Sequence, residues 1–316
     1  MNYIGIDVGG TNLVAGLVDE QGSIRNKCSI PVDRSLPAEG LCGQLVQLAR
    51  EACAAAGVEP GQVEAVGIGL PGLVDNNSGV VVRTVNMPFR NTPLRRLFQA
   101  QWDVPVFLGN DANCAAVGEY WAGAAKGCDP AVVITLGTGI GGGLVSGGKL
   151  FTGHANSGME VGHMIIRPGG QPCTCGNRGC WERYGSATAL IRLTREEMER
   201  SRDSVLWQLC GGDPAKVQGR TAFQGAGQGD PAAKRVLESY LQGLSVGLVN
   251  LVNVLQPEII CLGGGVSNAE DDLLLNPLRE LVRQGAYDKH APIRLERAAL
   301  GNDAGVVGAA LLCNMV

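Results

Sequence analysis

The chain has 316 residues, 47 of them glycine, and a formal net charge of −4 at pH 7. This length allows two domains with a sizeable core, and the absence of a run of lysine or arginine argues against nucleic acid or an anionic membrane as a partner. No apolar stretch approaches the roughly 20 residues of a membrane helix, and the first residues do not follow a secretory leader pattern. Eleven cysteines without paired spacing are typical of reduced thiols. We therefore expect a cytoplasmic protein that acts on a small molecule.

The first part of the chain predicts strands that alternate with helices. Residues 3–22 have the pattern of a β-hairpin whose turn lies at residues 9–12. A helix is expected around residues 41–56, and strands are expected over residues 63–70 and 104–108. This order of elements is typical of an α/β domain.

The second part of the chain begins with a repeat of the hairpin pattern. Residues 131–136 predict a strand, residues 137–143 a glycine-rich turn and residues 144–146 a returning strand. Two such units about 130 residues apart indicate a duplicated domain. Further along, we expect helical segments over 187–228, 232–254 and 305–315, and a buried strand over 258–262. Two similar halves predict an α/β protein with a mixed sheet in each lobe.

The first hairpin turn has the residues of a phosphate-binding element. Its candidate residues are Asp7, Gly9, Gly10, Thr11 and Asn12. Glycines let backbone N–H groups approach phosphate oxygens, the threonine hydroxyl adds a hydrogen bond, and the aspartate can hold a hydrated magnesium ion. The same residues are equally compatible with a simple tight turn.

The second hairpin turn contains Gly137, Thr138 and Gly139. Paired turns at equivalent places in two lobes could hold a triphosphate from both sides. The segment is not a Walker A loop, because no Gly-Lys-Ser/Thr follows, and it is not a dinucleotide fingerprint, because a strand follows the glycines. The pair of turns therefore favours phosphate binding over a turn without function.

Asp111 follows the strand predicted at residues 104–108 and precedes a predicted helix, within the segment Asn110-Asp111-Ala112-Asn113. A carboxylate at the carboxyl end of a strand can act as a general base toward a hydroxyl group, which is a very weak acid. The residues alone leave a helix N-cap as the alternative, because Asp and Asn are preferred caps.

Four candidate metal ligands lie within eighteen residues: His163, Cys173, Cys175 and Cys180. Zinc takes thiolate and imidazole ligands in a tetrahedral arrangement, and a Cys3His set fills all four positions. We therefore predict a structural zinc ion rather than a catalytic one. Chance clustering of three cysteines in a glycine-rich loop is the alternative.

Two segments together resemble the signature of the ROK family, which is named for repressors, open reading frames and kinases. The first runs from Gly153-His154 to Glu160-Val161-Gly162-His163, and the second is the Cys-x-Cys-Gly-x-x-Gly-Cys-x-Glu pattern that begins at Cys173. The resemblance implies a two-lobed, actin-like (ribonuclease-H-like) ATPase fold with a mixed sheet in each lobe. We expect an N-terminal lobe at residues 1–110, joined by a C-terminal helix at 303–316, and a C-terminal lobe at 111–302 that carries the zinc loop.

The resemblance also implies roles for individual residues. The aspartate of a matching Asn-Asp-Ala-Asn segment is the catalytic base in the sugar kinases of the family, which makes Asp111 the base here. The residues that it places around the sugar are Gly72, Asn86, Asn110, Asp111, Glu160, His163 and Glu182. The residues that it places on the adenosine side are Gly263, Gly264 and Gly265, for which a strand-to-helix turn is the alternative.

The expected activity is ATP-dependent phosphorylation of a hexose at the 6-hydroxyl, with glucose as the first candidate and Mg2+ as the nucleotide's counterion. N-acetylglucosamine, N-acetylmannosamine, fructose and mannose are alternatives, since this chain has Asn86-Met87-Pro88 where many relatives have Asn-Leu and then a tryptophan. The family also includes sugar-responsive regulators, which carry a DNA-binding domain ahead of the first phosphate turn. Only six residues precede Asp7, so we expect an enzyme, and the resemblance implies a homodimer.

Overall fold

The structure is a computed structural model that describes residues 1–84 and 87–316. It divides into two compact units. The first unit comprises residues 1–133, 143–159 and 298–316, and the second comprises residues 134–142 and 160–297. The first unit extends beyond the boundary predicted at residue 110, because the helix that begins at Asp111 packs against the C-terminal helix.

The strands alternate with helices in both halves of the chain, as the sequence predicted. The strands are β1 (Asn2–Val8), β2 (Asn12–Asp19), β3 (Ile24–Pro31), β4 (Ala65–Leu70), β5 (Gly72–Asp75), β6 (Val80–Thr84), β7 (Arg90–Thr92), β8 (Val106–Asn110), β9 (Ala131–Leu136), β10 (Ile140–Ser146), β11 (Lys149–Leu150), β12 (Ile259–Gly263) and β13 (Arg294–Arg297). The helices are α1 (Ala38–Ala55), α2 (Leu94–Gln99), α3 (Asp111–Ala122), α4 (Glu182–Gly185), α5 (Ala187–Arg200), α6 (Leu206–Leu209), α7 (Thr221–Gly227), α8 (Pro231–Leu255), α9 (Leu275–Gly285) and α10 (Ala304–Leu311).

The first unit contains a mixed five-stranded sheet in the order β3-β2-β1-β4-β8. Strand β4 is buried at all six positions, as expected for a central strand that is covered on both faces. It runs parallel to β1 and to β8, with Asp7 opposite Gly69 and Gly69 opposite Gly109. The carboxyl ends of three parallel strands therefore meet at one edge of this sheet.

Helix α10 lies against the first sheet at positions where no side chain fits. A Cβ atom on Gly5 would lie 1.9 Å from the carbonyl oxygen of Val306, and one on Gly67 would lie 1.7 Å from that of Ala309. On its other side α10 touches α3 in the same way, because a Cβ on Gly308 would lie 1.6 Å from the carbonyl oxygen of Cys114. Backbone-to-backbone contact thus joins α10 to both the sheet and α3.

A second five-stranded sheet has the order β11-β10-β9-β12-β13. Strand β12 is buried throughout and pairs in parallel with β13. Strand β10 begins at Ile140, so the second hairpin turn is shorter than the predicted span of 137–143. The repeated hairpin and the buried strand near residue 260 are confirmed.

Three predicted helical segments can be compared with the structure. The predictions for 232–254 and 305–315 correspond to α8 and to α10 with the short turn that follows it. The continuous helical stretch predicted over 187–228 is wrong in part, because it forms α5, α6 and α7 with loops between them. Asp213-Pro214 lies in one of these loops, where proline cannot supply the N–H that a continuing helix needs.

The fold as a whole is an α/β architecture with a mixed sheet in each half of the chain, as predicted. No helix among residues 1–84 and 87–316 combines the length and the apolarity that crossing a bilayer would need.

Candidate active site

Two carboxylates come together at the carboxyl edge of the first sheet. Asp7 lies near the end of β1, and Asp111 is the first residue of α3, directly after β8. Burial, together with the charge of Asp111, raises the pKa of Asp7 from 3.8 to about 6. A cation or a hydroxyl proton between these groups would relieve the repulsion of two negative charges.

The geometry separates the capping residue of α3 from the candidate base. Oδ1 of Asn110 accepts hydrogen bonds from the N–H groups of Ala112 at 2.9 Å and Asn113 at 3.3 Å, which is the arrangement of an N-cap. Oδ1 of Asp111 also accepts from the N–H of Ala112 at 2.8 Å, but Asp111 is exposed and lies inside the helix. The cap therefore belongs to Asn110, and the Asp111 carboxylate is accessible to a ligand.

Asn110 also connects α3 to Gly72, which the resemblance places beside the sugar. Its Nδ2 donates to the carbonyl oxygen of Gly72 at 3.1 Å. Gly72 has a φ of +126°, and a Cβ there would lie 2.3 Å from the carbonyl oxygen of Arg83. This position requires glycine, and the structure brings Gly72 and Asn110 together as the resemblance implied. Asn86, the remaining predicted sugar ligand of this segment, lies outside the described residues.

The first glycine turn is open to solvent. The N–H of Gly9 donates to the carbonyl oxygen of Asn12 at 3.0 Å, and Gly10, Thr11 and Asn12 are exposed. The turn joins β1 to β2 two residues beyond Asp7. Exposed glycine N–H groups can bind phosphate oxygens, and the carboxylate beside them can hold a magnesium ion.

The second unit contains a cavity of about 930 Å³ that is lined by residues of two predicted glycine loops. Gly137 and Thr138 contribute from the second hairpin turn, and Gly265 contributes from the loop after β12. Phe223 and Gln224 of α7 form part of the remaining wall. This volume lies in the range of small-molecule and cofactor sites.

The glycine loops around this cavity are held in place by hydrogen bonds to their carbonyl oxygens and by one close contact at Gly264. The N–H of Ala187 donates to the carbonyl oxygen of Gly137 at 2.9 Å, and the Thr188 hydroxyl donates to that of Thr138 at 2.8 Å. Gly264 has a φ of +87°, and a Cβ there would lie 2.5 Å from the carbonyl oxygen of Leu136. Gly263 ends β12 directly before this contact. The start of α5 and both loops therefore form one wall of the cavity.

The four predicted metal ligands form a single cluster in the second unit. One ligand atom from each of His163, Cys173, Cys175 and Cys180 lies within 4.8 Å of the others. Sγ of Cys173 is 3.6 Å from Nδ1 of His163, and the Sγ atoms of Cys175 and Cys180 are 3.6 Å apart. Tetrahedral zinc with Zn–S bonds of roughly 2.3 Å needs ligand atoms about this far apart. The donor set and its spacing therefore fit zinc.

The side chains predicted to bind sugar in this unit lie on or beside the loop that carries the candidate zinc ligands. Glu182 accepts a hydrogen bond from Sγ of Cys173 at 3.0 Å, and its carboxylate lies 3.8 Å from Nδ1 of His163. Glu160 directly precedes the short turn Val161–His163, and its carbonyl oxygen accepts from the N–H of His163 at 3.0 Å. Gly139 approaches the same cluster, because a Cβ on it would lie 2.6 Å from Oε2 of Glu182. The loop of candidate zinc ligands thus places Glu182 next to the second glycine turn and beside His163.

Two groups of residues around the site were not found from the sequence. Asn113 is 5% exposed, and it lines a cavity of about 250 Å³ with Asn110 and His154. Its Oδ1 atom has no hydrogen-bond partner among residues 1–84 and 87–316. In the sequence, only its place in the Asn-Asp-Ala-Asn segment indicates that Asn113 lies near the site. The α7 residues of the larger cavity lie in a segment without a recognisable motif, so only the tertiary structure identifies them.

Comparison with known proteins gives matches over nearly the whole chain. The model of the ROK family matches residues 3–315. A glucokinase of Thermotoga maritima is 38% identical over 319 residues, which cover 98% of this chain and 96% of that protein. A glucokinase of Streptomyces coelicolor is 36% identical over 312 residues, which cover 97% and 96%. Among solved structures, a ROK family glucokinase from Streptomyces griseus in complex with glucose and AMPPNP has a TM-score of 0.84 at 35% identity and covers 99% of both chains.

The metal cluster predicts one zinc ion per chain. Replacing Cys175 by Ser removes one ligand, so we expect loss of the zinc and a decrease of at least about 2 kcal/mol in the free energy of unfolding. Elemental analysis and chemical denaturation measure the two effects. Cys28→Ser, at a half-buried cysteine outside the cluster, should leave both unchanged. Metal-free protein as stable as the zinc-loaded protein would contradict a structural role for the metal.

The raised pKa of Asp7 predicts a pH-dependent stability. The pKa of Asp7 lies near 6 in the folded state, whereas its ordinary value is 3.8. The contribution of Asp7 to the free energy of unfolding is therefore present in full below pH 3.8 and is lost as the pH rises through about 6. The loss is on the order of 3 kcal/mol. Without divalent cations, Asp7→Asn should therefore be more stable than the wild type above about pH 7.

Urea unfolding at several pH values tests this expectation. Asp203→Asn, at an exposed aspartate, is the control and should follow the wild-type profile. If Asp7→Asn and the wild type lose stability in parallel across the range, Asp7 does not carry a raised pKa.

Proposed function

The chain belongs to the ROK family, and we propose that it transfers the γ-phosphoryl group of ATP to the 6-hydroxyl of glucose. Two relatives described as glucokinases cover nearly the whole chain at 36–38% identity. The similar structure from Streptomyces griseus holds glucose and AMPPNP. The observation that carries the proposal is the accessible Asp111 carboxylate at the carboxyl edge of the first sheet, with the cap of α3 supplied by Asn110.

Asp111 is the general base in this proposal. The 6-hydroxyl oxygen forms a bond to the γ-phosphorus while the bond from that phosphorus to the bridging oxygen breaks, and ADP leaves. The hydroxyl proton passes to the Asp111 carboxylate. Because a sugar hydroxyl is a very weak acid, a base that accepts its proton during bond formation is useful, although positioning and charge neutralisation provide most of the acceleration.

Asp7 and the first glycine turn would hold the charged end of the nucleotide. When bound, Mg2+ neutralises charge on the phosphate oxygens, and carboxylates are the ligands that it prefers. The raised pKa of Asp7 fits this role, because a cation would favour the ionised form that burial disfavours. The N–H groups of Gly10 and Thr11 are placed on an exposed turn where phosphate oxygens can reach them.

The cavity of the second unit is the proposed ATP site. Its volume of about 930 Å³ is sufficient for a nucleotide. Phe223 and Val266 supply apolar surface for a base, whereas Gln224 and Asn268 supply hydrogen-bonding groups. Gly137, Thr138 and Gly265 bring backbone N–H groups to the same cavity, as phosphate binding requires.

Hexose binding is proposed for residues in each unit. In the first unit, Asn110 and the backbone at Gly72 offer donors and acceptors that suit sugar hydroxyls. In the second unit we assign Glu160, His163 and Glu182 to hexose hydroxyls. Nδ1 of His163 lies on the side of the sulfur atoms, so Nε2 is available to a hydroxyl while a structural zinc ion holds the ring.

Three parts of the interpretation stay predictions. N-acetylglucosamine, N-acetylmannosamine, fructose and mannose stay alternatives to glucose as the acceptor. The homodimer and the cytoplasmic location that we expected from the sequence are also proposals.

The proposed reaction predicts a specific loss in an Asp111 variant. With purified protein and Mg-ATP, we expect ADP release to be fastest with glucose among glucose, N-acetylglucosamine, N-acetylmannosamine, mannose and fructose. Asp111→Ala should lower turnover by about 10²–10⁴-fold, because it removes only the base. Glucose affinity, measured by calorimetry, should change little.

Asp203→Ala, at an exposed aspartate, is the matched control and should keep wild-type turnover. A preference for another sugar would retain the mechanism and change the substrate. Wild-type turnover in Asp111→Ala would contradict the assignment of Asp111 as the base.

A further inference from the structure

A second polar cavity lies in the second unit beside the cysteine loop, which is the segment that carries Cys173, Cys175 and Cys180. It has a volume of about 460 Å³, and three arginines contribute to its wall: Arg167, Arg178 and Arg192. None of its lining residues also lines the proposed ATP cavity. We propose that this cavity binds the phosphate group of a small molecule, at a site additional to those of ATP and hexose.

The charge of the cavity is opposite to that of the whole chain. The chain has 26 Lys and Arg against 30 Asp and Glu, whereas the cavity has three arginines against one carboxylate, Glu196. Glu196 is already paired, because it accepts from Nη1 of Arg192 at 2.7 Å. Arg167 and Arg178 are both exposed, and their charges are available to a ligand. The cavity therefore has a surplus of about two positive charges for an anion.

The third arginine is already ordered. Besides its bond to Glu196, Arg192 donates from Nη2 to the carbonyl oxygen of Arg183 at 3.1 Å. Its Nε atom is buried and has no hydrogen-bond partner among the described residues. A guanidinium group that is held at both ends loses little further freedom when an anion binds.

The part of the wall that contains Gly170 and Tyr184 is also rigid, because it is built from close contacts. A Cβ on Gly170 would lie 2.0 Å from Oη of Tyr184, and one on Gly179 would lie 1.8 Å from the carbonyl oxygen of Arg167. The N–H of Gln171 donates to Oη of Tyr184 at 2.8 Å. The cavity is therefore preformed, as ligand sites usually are.

The position of Arg178 ties the cavity to the proposed zinc site. Arg178 lies between Cys175 and Cys180, and the carbonyl oxygen of Gly179 accepts from the N–H of Ile166 at 3.0 Å. An anion bound to Arg178 would touch the loop whose cysteines hold the metal. Such a ligand would stabilise this loop by mass action.

A phosphate group suits this lining better than an uncharged ligand. Planar guanidinium groups match phosphate oxygens with paired hydrogen bonds, and Ser239 and Gln171 add neutral donors. The volume exceeds that of a free phosphate ion, so a phosphate monoester also fits. The experiment must therefore compare the two sources of the phosphate group.

Isothermal titration calorimetry tests the proposal directly. Inorganic phosphate and, separately, glycerol 3-phosphate are titrated into protein that is saturated with glucose, Mg2+ and a non-hydrolysable ATP analogue, at constant ionic strength. We expect saturable binding at one site per chain. Arg167→Gln/Arg178→Gln should weaken it by at least about tenfold, which corresponds to the loss of one or more charge-assisted hydrogen bonds.

The matched control is Arg200→Gln/Arg202→Gln, which removes the same charge from two exposed arginines of the same unit outside the cavity. It should bind phosphate as the wild type does. Tighter binding of glycerol 3-phosphate than of inorganic phosphate would identify a monoester as the ligand, and tighter binding of inorganic phosphate would identify the free ion. Absence of saturable binding, or equal binding by the two double variants, would overturn the proposal whether or not the protein is a kinase.

Discussion

Close backbone contact between α10 and its neighbours determines the geometry of the first unit. The contacts at Gly5, Gly67 and Gly308 leave no space for even a methyl group. Replacing one of these glycines by alanine would overpack the contact, which typically costs about 1–3 kcal/mol. Through these contacts α10 holds β1 and α3 in fixed positions. Because Asp7 lies on β1 and Asp111 begins α3, the same contacts determine the separation of the two carboxylates. The buried charge of Asp7 is destabilising, and a magnesium ion would compensate for it.

The cysteine loop has the corresponding role in the second unit. A loop with few apolar residues cannot bury a core of its own, so a tetrahedral metal is an effective way to order it. Sγ of Cys173 in this loop lies 3.0 Å from Oε1 of Glu182, and Glu182 in turn lies beside Gly139 of the glycine turn. The candidate zinc ligands, the proposed hexose ligands and one of the two candidate phosphate turns are therefore parts of a single connected structure. Through this connection, a zinc ion without an open coordination position would affect the proposed activity by ordering the loop.

Local patterns were sufficient to predict some of these features and insufficient for others. The glycine turns at residues 9–12 and 137–139 and the four zinc ligands were predicted, because each depends on a short segment of chain with a definite chemistry. The choice between cap and base was not settled by the residues alone, because Asn110 and Asp111 suit either role and only the hydrogen bonds distinguish them. The small sheet of β5, β6 and β7, the breaks within 187–228 and the arginine-lined cavity depend on contacts between distant segments. Composition and periodicity carry little information about such contacts.

The position of the transferred phosphate tests the proposed activity most directly. Glucose, Mg-ATP and the purified protein would be followed by ³¹P NMR, with 6-deoxyglucose in a parallel sample. The account predicts one phosphate monoester, coupled to the two protons on carbon 6, that appears in equal amount with ADP and is absent with 6-deoxyglucose. A monoester at another carbon, or ADP release without a sugar phosphate, would contradict it.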